Sequence, residues 1–322
     1  MSRSLHTSAI ALFLGASLSL SACQQNTPSE DIKVCNVNIH ILGTAQDAGK
    51  PQIGQHNDPA WMDNKLVSPA TSIAIADNID GSRYLFDATP DIKAQLFALD
   101  RFSGSAGYRL DGIFLTHAHM GHYLGLAQFG REAMGAKSVP VFAMPRMASF
   151  LKNNGPWDQL ISLNNIEIKP LSDKTSIELN ERVTVTPFLV PHRGEYSETV
   201  GYKIQGPSKS AIYLPDIDTW QEWEAMGTNI EDVIAQNDVL FLDATFYNAD
   251  ELSGRDMSKI PHPPMVKTME RLHKLSVGER TKIQFIHLNH SNPTHDKHTK
   301  AFDEIGKAGY KIAKTGASYC LD

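Results

Sequence analysis

The chain has 322 residues, 41% of them hydrophobic and 20% charged, which is the composition of a globular protein and not of a disordered or fibrous one. Its formal net charge is −6, and lysine and arginine form no dense run, so no nucleic-acid partner is expected. No repeat and no linker rich in glycine, serine or proline follows the first ~30 residues, which predicts one folded domain over residues 34–322.

The N-terminus has the layout of a bacterial export signal. Arg3 is the first charged residue, and residues 9–20 are apolar but too few to span a bilayer as a stable anchor. The following Leu20-Ser-Ala-Cys23 resembles a bacterial lipobox, and the alternative is an ordinary signal peptide with a chance cysteine. The resemblance implies that residues 1–22 are removed and that Cys23 carries lipid.

The segment after the signal predicts where the domain is held. Residues 23–33 are expected to form a flexible tether, and Gln24 implies, through the lipobox resemblance, an outer-membrane anchor with the domain facing the periplasm. Two cysteines remain, Cys35 and Cys320, and an oxidising periplasm would allow them to pair. They lie near opposite ends of the domain, so a disulfide requires adjacent first and last elements, and the sequence leaves this open.

Within the domain, short β-rich runs alternate with stretches that carry helix-start signals. Apolar alternation and short apolar runs predict strands over residues 37–41, 71–76, 83–88, 112–117, 139–143, 182–190, 200–204, 211–215, 239–244 and 282–287. Helix-start signals predict helices over residues 90–100, 121–134, 145–153, 264–275 and 296–307. This order indicates sheet layers whose outer faces are covered by helices.

Three histidines directly follow the apolar run at residues 112–115. The spacing places His117, His119 and His122 in one tight turn at the tip of a predicted strand. Neutral imidazole is a ligand well suited to Zn²⁺, and also to Fe and Cu. A core would have to supply each buried ring with its own hydrogen-bond partner, so the spacing predicts a metal site, with a solvated loop as the alternative.

This motif resembles the His-x-His-x-Asp-His signature of the metallo-β-lactamase superfamily, except that Gly121 stands where the signature has Asp. The resemblance implies an α/β protein with an αββα four-layer sandwich. It also implies a structural Asp87 that supports the histidine turn, and further metal ligands at His192, Asp216 and His287, each following a predicted strand.

More narrowly, the chain resembles the pyrroloquinoline-quinone biosynthesis protein B group, in residues 42–45, 51–52, 243–246 and 286–293. The stretch 243–246, followed by His262, also resembles the tRNA 3′-processing ribonucleases of the superfamily. That resemblance implies that Asp243 and His262 form a proton-handling pair near the metals. The alternative is a capping aspartate and an exposed loop histidine.

The superfamily layout implies two metal sites that share one carboxylate. The tighter site would hold Zn²⁺ through His117, His119, His192 and Asp216. The second would have His122, Asp216 and His287, and is expected to bind more weakly because Gly121 offers no ligand atom. A substitute ligand would have to come from a nearby loop, with His290 the first candidate and Asp47 the second. His290 is also a candidate proton donor, and Fe or Mn in place of Zn²⁺ stays open.

The predicted function is hydrolysis of an ester, lactone or phosphodiester bond in a small-molecule substrate by a metal-activated hydroxide. One alternative is an iron-dependent, oxygenase-like protein, which the closer resemblance suggests. The other is a lipoprotein that binds metal or ligand without catalysis, which the glycine at position 121 suggests. Substrate and oligomeric state stay open at this point.

Overall fold

Two seven-stranded sheets form the centre of the fold. The computed structural model describes residues 35–104 and 109–322, so the predicted signal segment and Cys23 lie outside the described residues. The first sheet contains Val37–Gly43 (β1), Ser72–Asp77 (β2), Arg83–Phe86 (β3), Gly112–Phe114 (β4), Val139–Ala143 (β5), Ile166–Pro170 (β6) and Ser318–Cys320 (β14). The second contains Ile177–Glu178 (β7), Thr184–Leu189 (β8), Val200–Gln205 (β9), Ser210–Leu214 (β10), Val239–Asp243 (β11), Ile283–Ile286 (β12) and Lys311–Ile312 (β13).

The strand order in the first sheet is β14-β1-β2-β3-β4-β5-β6, and in the second it is β13-β12-β11-β10-β9-β8-β7. In the first sheet, strands β3 to β6 are parallel to one another. In the second sheet, strands β10 to β13 are parallel. Ends of parallel strands collect at one edge of a sheet, and this edge carries the loops with the predicted ligands.

Nine short α-helices connect and cover these strands within the described residues. They are Ile92–Ser103 (α1), Met120–Tyr123 (α2), Pro145–Asn153 (α3), Trp157–Ser162 (α4), Trp220–Ala225 (α5), Ile230–Ala235 (α6), Met265–Arg271 (α7), Val277–Arg280 (α8) and Lys300–Lys307 (α9). Single 3₁₀ segments occupy Pro59–Trp61, Asn64–Leu66, Leu124–Phe129, Met257–Lys259, Leu272–Lys274 and Pro293–His295. None of the helices in these ranges is long and apolar enough to cross a bilayer.

Three apolar clusters define the layers. The first joins one face of the first sheet to α1, α3 and α4, through residues such as Leu99, Leu151 and Leu160. The second lies between the sheets and is rich in aromatic rings, including Phe86, Phe114, Tyr202, Tyr213 and Phe241. The third joins the outer face of the second sheet to α5, α6, α7 and α9, through Trp223, Ile234, Met265 and Ile305. The predicted αββα sandwich is therefore confirmed.

The helix predicted over residues 121–134 is wrong. The chain makes only the single turn of α2 and then a 3₁₀ segment, Leu124–Phe129. Gly125 explains the irregular path, because its backbone nitrogen donates to Ala88 O and an added Cβ would lie 2.1 Å from Thr89 O. The strands β6, β7, β13 and β14 were not predicted, since they are short or half-exposed and show little periodicity.

The first and last strands of the described domain are neighbours. Asn38 of β1 pairs with Cys320 of β14, and the Asp322 side chain accepts hydrogen bonds from the backbone nitrogens of Asn36 and Val37. This adjacency brings Cys35 to Cys320, with a Cα–Cα distance of 5.8 Å and a disulfide between them. The tertiary structure thus meets the condition that the sequence left open.

Candidate metal centre

The predicted site residues meet at one edge of the sandwich, where strands of both sheets end. Asp87 follows β3 and His117 lies just after β4, while Asp216 follows β10 and His287 follows β12. Asp87 and His287 have φ angles of 64° and 66°, a left-handed conformation that residues other than glycine rarely adopt. The surrounding hydrogen bonds must offset this strain, which tends to concentrate at functional sites.

Three histidines form the first group of potential ligands. His119 Nδ1 lies 2.8 Å from His117 Nε2 and 3.3 Å from His192 Nε2. The first two come from the turn after β4, and His192 comes from the segment after β8. These facing nitrogens cannot all carry protons at such separations, so the arrangement suits a cation that binds their lone pairs.

Asp216 lies between this group and a second one. Its Oδ1 is 3.8 Å from His192 Nε2, and its Oδ2 is 3.2 Å from His122 Nε2 and 3.5 Å from His287 Nε2. The second group also contains Asp47, whose Oδ1 is 3.4 Å from His122 Nε2. One carboxylate therefore faces both groups, as the superfamily resemblance implied.

The outward nitrogen of each of these five histidines has a polar partner. The pairs are His117 with Thr116 (3.0 Å), His119 with Glu195 (3.3 Å), His122 with Asp87 (2.8 Å), His192 with Asp218 (2.7 Å) and His287 with Thr245 (3.0 Å). Such partners orient the ring and fix its tautomer, and metal-ligating histidines almost always have them. The inner nitrogens are thereby directed at the centre.

One threonine beside each sheet orients a histidine of the site. Thr116 Oγ1 donates to Asp87 at 2.9 Å, and Thr245 Oγ1 donates to Asp243 at 2.7 Å. Because a hydroxyl has one proton, each threonine oxygen must accept from the Nδ1–H of its histidine. The Nε2 lone pairs of His117 and His287 then face the centre.

Three buried atoms at the centre lack a hydrogen-bond partner among the described residues: His122 Nε2, Asp216 Oδ2 and His287 Nε2. The three side chains are at most 2% exposed. An unpaired buried polar atom costs ~1–3 kcal/mol of folding free energy, so three together indicate a binding site for an ion or ligand. Imidazole nitrogens and carboxylates are ligands for Zn²⁺ and Fe²⁺, so these residues fit a divalent metal.

The charges at the centre favour a cation as well. Burial lowers the pKa of His119 and His287, and burial with the nearby His122 lowers that of His117 well below its usual value. Burial also acts to lower the pKa of His122, but the Asp87 and Asp216 carboxylates raise it well above its usual value. Burial would raise the pKa of Asp216, but the histidines, His287 first, hold it well below its usual value. Burial likewise opposes ionisation of Asp47, yet contact with His122 lowers its pKa to about 2.

Asp243 and His262 form a pair beside these ligands. His262 Nδ1 lies 2.7 Å from Asp243 Oδ2, and Asp243 is fully buried. Burial lowers the pKa of His262, but the Asp243 carboxylate outweighs it and raises the pKa to about 9. With Nδ1 engaged by Asp243, Nε2 is the nitrogen left for other contacts. The structure thus brings together the two residues that the ribonuclease resemblance paired.

Two cavities adjoin the centre. The larger has a volume of about 1060 Å³ and is lined by His262, Phe246, Ile260, Arg193 and Asp218, among others. The smaller, of about 660 Å³, is lined by Asp47, His290 and several amide side chains. His290 is half-buried there, and its backbone oxygen accepts from Lys50 Nζ at 3.4 Å. Asp47, and not His290, joins His122 and His287 in the second ligand group.

Several contacting residues were missed from sequence. Asp218 and Glu195 contact His192 and His119 from positions two and three residues beyond a predicted ligand. Tyr213 OH donates to Asp87 Oδ2 at 3.0 Å from inside β10. An acidic residue close after a predicted ligand was a usable signal for the first two. A buried strand tyrosine gives no such signal, because its partner is 126 residues away.

Comparisons with known proteins agree with this geometry. The sequence profile described as the beta-lactamase superfamily domain matches residues 82–288. Coenzyme PQQ synthesis protein B of Xanthomonas campestris pv. campestris (strain B100) is 24% identical over 314 residues, covering 88% of this chain and 100% of that protein.

Solved structures are similar over the same span. Zn²⁺-bound PqqB from Methylobacterium extorquens superposes with a TM-score of 0.73 at 21% identity, covering 88% of this chain and 100% of that one. A diphosphatase from the PhnP family gives a TM-score of 0.59 at 23% identity, covering 88% and 98%. At these identities the likeness establishes the fold.

Proposed function

Because the chain belongs to the beta-lactamase superfamily, we propose that it is a metal-dependent hydrolase with two metal sites. One observation carries the proposal: unpartnered buried ligand atoms converge directly beside a buried histidine–aspartate pair. The ligand atoms are His122 Nε2, Asp216 Oδ2 and His287 Nε2. The pair is His262 with Asp243, and His262 Nδ1 is 4.0 Å from Asp216 Oδ1.

The residues that would hold the metals follow from the two groups. His117, His119 and His192 would hold one ion, and Asp216 would contact both. Three imidazoles with a further open position are the ligand set of many catalytic zinc sites, so we propose Zn²⁺ there. When bound, the ions would supply Lewis-acid polarisation of the scissile bond and lower the pKa of water.

The chain's own proton-handling group is His262. Asp243 accepts from Nδ1 and so holds the ring in one orientation, while Thr245 Oγ1 lies 3.1 Å from the same nitrogen. The ring borders the larger cavity, where a substrate would lie. We propose that His262 donates a proton to the leaving group, which a departing alkoxide or phosphate oxygen requires.

The larger cavity is suited to a small molecule. Its volume of about 1060 Å³ matches the clefts in which proteins bind drug-sized ligands. Its lining carries both signs of charge, with Arg193 and Lys259 positive and Asp218 and Glu222 negative. We propose an ester, lactone or phosphodiester as substrate, and the likeness to a diphosphatase fold is consistent with a phosphorus ester.

A second candidate function is iron-dependent oxygenation, and one observation favours it. The group of Asp47, His122 and His287 consists of two histidines and one carboxylate. That ligand set with open positions is typical of non-haem iron oxygenases.

The place of action is also a proposal. The Leu20–Cys23 lipobox supports a lipid anchor in the outer membrane, with the domain facing the periplasm. An oxidising compartment would also suit the Cys35–Cys320 disulfide.

The purified full chain provides the test. It should be stripped of metal, reconstituted with Zn²⁺ or with Fe²⁺ under exclusion of oxygen, and supplied with p-nitrophenyl esters, a γ-lactone and bis(p-nitrophenyl) phosphate. We expect Zn²⁺-dependent hydrolysis of at least one substrate class, absent from the His117→Ala variant. Oxygen uptake by the Fe²⁺ form without any hydrolysis would favour the oxygenase. Protein that carries two metal equivalents and turns over nothing would contradict the hydrolase proposal.

A further inference from the structure

We propose that Asp47, from the loop after β1, supplies the ligand that is absent at position 121. The second metal would then be held by Asp47, His122, Asp216 and His287. This inference rests on the metal centre proposed above, but not on any particular reaction there. It predicts two complete sites where the glycine in the histidine motif suggested one complete and one defective site.

The contacts of Asp47 are those of a ligand. Its Oδ1 lies 3.4 Å from His122 Nε2, which is one of the three unpartnered buried atoms. The same oxygen accepts a hydrogen bond from the backbone nitrogen of Gly121 at 3.2 Å. The Asp47 side chain is 26% exposed, and it lines the smaller cavity next to the centre. The Asp47 carboxylate thus lies on the solvent side of ligand atoms that are otherwise buried.

The glycine at position 121 is explained by space and not by backbone conformation. Gly121 lies in α2 and is not among the residues with positive φ. A Cβ built on it would lie 2.4 Å from Asp47 Cα and 2.4 Å from Asp47 Oδ1. Carbon atoms do not approach so closely without a backbone shift. A side chain at position 121 and the present position of Asp47 therefore exclude each other.

The same distances show that a side chain at position 121 and the Asp47 carboxylate would compete for one space beside His122. Asp47 Oδ1 lies 2.4 Å from where the Cβ of residue 121 would be and 3.4 Å from His122 Nε2. An aspartate at position 121 would fill this space from the histidine turn. In this chain the loop after β1 fills it instead.

The loop is anchored so that Asp47 stays near His287. Ala45 forms a bridge to Leu288, and Gln46 N donates to Leu288 O at 2.8 Å. Leu288 N donates in turn to Thr44 O at 2.8 Å. Since Leu288 directly follows His287, the backbone ties the carboxylate and this histidine together. A ligand residue that directly follows such a paired backbone segment is suited to preorganised metal binding.

The test compares Asp47→Ala and Asp47→Asn with wild type. Each metal-stripped full chain is titrated with Zn²⁺ in a calorimeter, with a chromophoric chelator as competitor for tight binding. Asp63→Ala, in the same loop, is the matched control, because Asp63 only caps the Asn64–Leu66 turn. Thermal unfolding with and without Zn²⁺ reports folding independently of activity.

We expect two tight equivalents in wild type and in Asp63→Ala. Asp47→Ala should keep one tight equivalent and bind the second at least ~10-fold more weakly, because it loses a ligand. Zn²⁺ should raise its melting temperature by less than it raises that of wild type, which is the signature of a loss in the metal-bound state. Asp47→Asn, which keeps the size of the side chain but lacks its negative charge, should also weaken the second equivalent and leave the first intact.

Unchanged affinity for both equivalents in Asp47→Ala would overturn the inference. The inference would also be overturned if wild type bound a single Zn²⁺ equivalent that His117→Ala abolished and Asp47→Ala left intact. In that case only the first metal site would bind metal. Failure of the proposed function has a different signature, namely two equivalents with the predicted Asp47 dependence but no turnover of any substrate.

Discussion

His262 Nδ1 lies 2.7 Å from Asp243 Oδ2, at the point where β11 ends beside the metal centre. Asp243 also accepts from the backbone nitrogens of Ile217 and Thr245, so its carboxylate is held in place before it orients the histidine. In the proposed mechanism this relationship separates two tasks, because His262 would handle a proton while the neighbouring histidines would hold the metals.

The first prediction concerns that proton. His262→Asn should lower kcat by about 10²- to 10⁴-fold on a substrate with an alkoxide leaving group, such as the lactone, which is the usual contribution of a positioned acid. The loss on p-nitrophenyl substrates should be smaller, because p-nitrophenolate leaves without a proton. Zn²⁺ stoichiometry should stay at the wild-type value, since His262 is held by Asp243 and is not needed in either ligand group. His273→Asn, which changes an exposed histidine, is the control. Equal activity of His262→Asn and wild type on the substrate with an alkoxide leaving group would exclude His262 as the proton donor.

The second prediction concerns the disulfide. Cys35 and Cys320 are 285 residues apart in sequence, so their bond restricts a long loop in the unfolded chain. The Cys35→Ser/Cys320→Ser variant should lose about 2–5 kcal/mol of unfolding free energy in urea. The fold should persist, because the β1–β14 pairing and the Asp322 contacts remain. A reductant should destabilise wild type by a similar amount and leave the variant unchanged; free alkylation of both thiols in native protein would count against the bond.

The third prediction concerns acid sensitivity at His40. This β1 residue is buried, stacks on Phe102 and contacts Ser318 Oγ at 2.7 Å. Burial lowers its pKa from 6.5 to about 4, so the unfolded chain binds the proton more readily than the folded one. The contribution of neutral His40 to the unfolding free energy is fully present above pH 6.5 and is lost as the pH falls towards 4.

The measurement is chemical unfolding at pH 7 and pH 5. Between pH 7 and pH 5 the unfolding free energy of wild type should fall by ~2 kcal/mol more than that of His40→Phe, because one pKa unit corresponds to ~1.4 kcal/mol. The phenylalanine keeps the stack on Phe102 but does not titrate. His298→Asn, at an exposed position, should behave as wild type. An equal loss in wild type and His40→Phe would show that other groups account for the acid sensitivity.

The fourth prediction concerns the N-terminus, outside the described residues. Wild-type protein expressed in a Gram-negative host should be found in the outer membrane with Cys23 lipidated and residues 1–22 removed. Cys23→Ser should not incorporate labelled fatty acid. Mature wild-type protein whose mass shows no lipid would reject the lipoprotein assignment.

Much of the site was accessible from sequence because metal ligands cluster locally. His117, His119 and His122 share one turn, and three imidazoles at this spacing after an apolar strand are typical of a metal site. His192, Asp216 and His287 were inferred from a resemblance in which each follows a strand. The structure brings all six together, and the αββα layers were implied by the same resemblance.

What the sequence could not decide is which loops meet. Asp47 and Gly121 are 74 residues apart and contact each other only because the loop after β1 and the turn after β4 lie at the same edge. Sequence periodicity reports which face of an element is buried, but it carries no signal for a contact between two irregular loops. For that reason the glycine at position 121 predicted a defective second site, and His290 stood ahead of Asp47 as a substitute. Only the tertiary structure shows that the missing side chain leaves the space that Asp47 occupies.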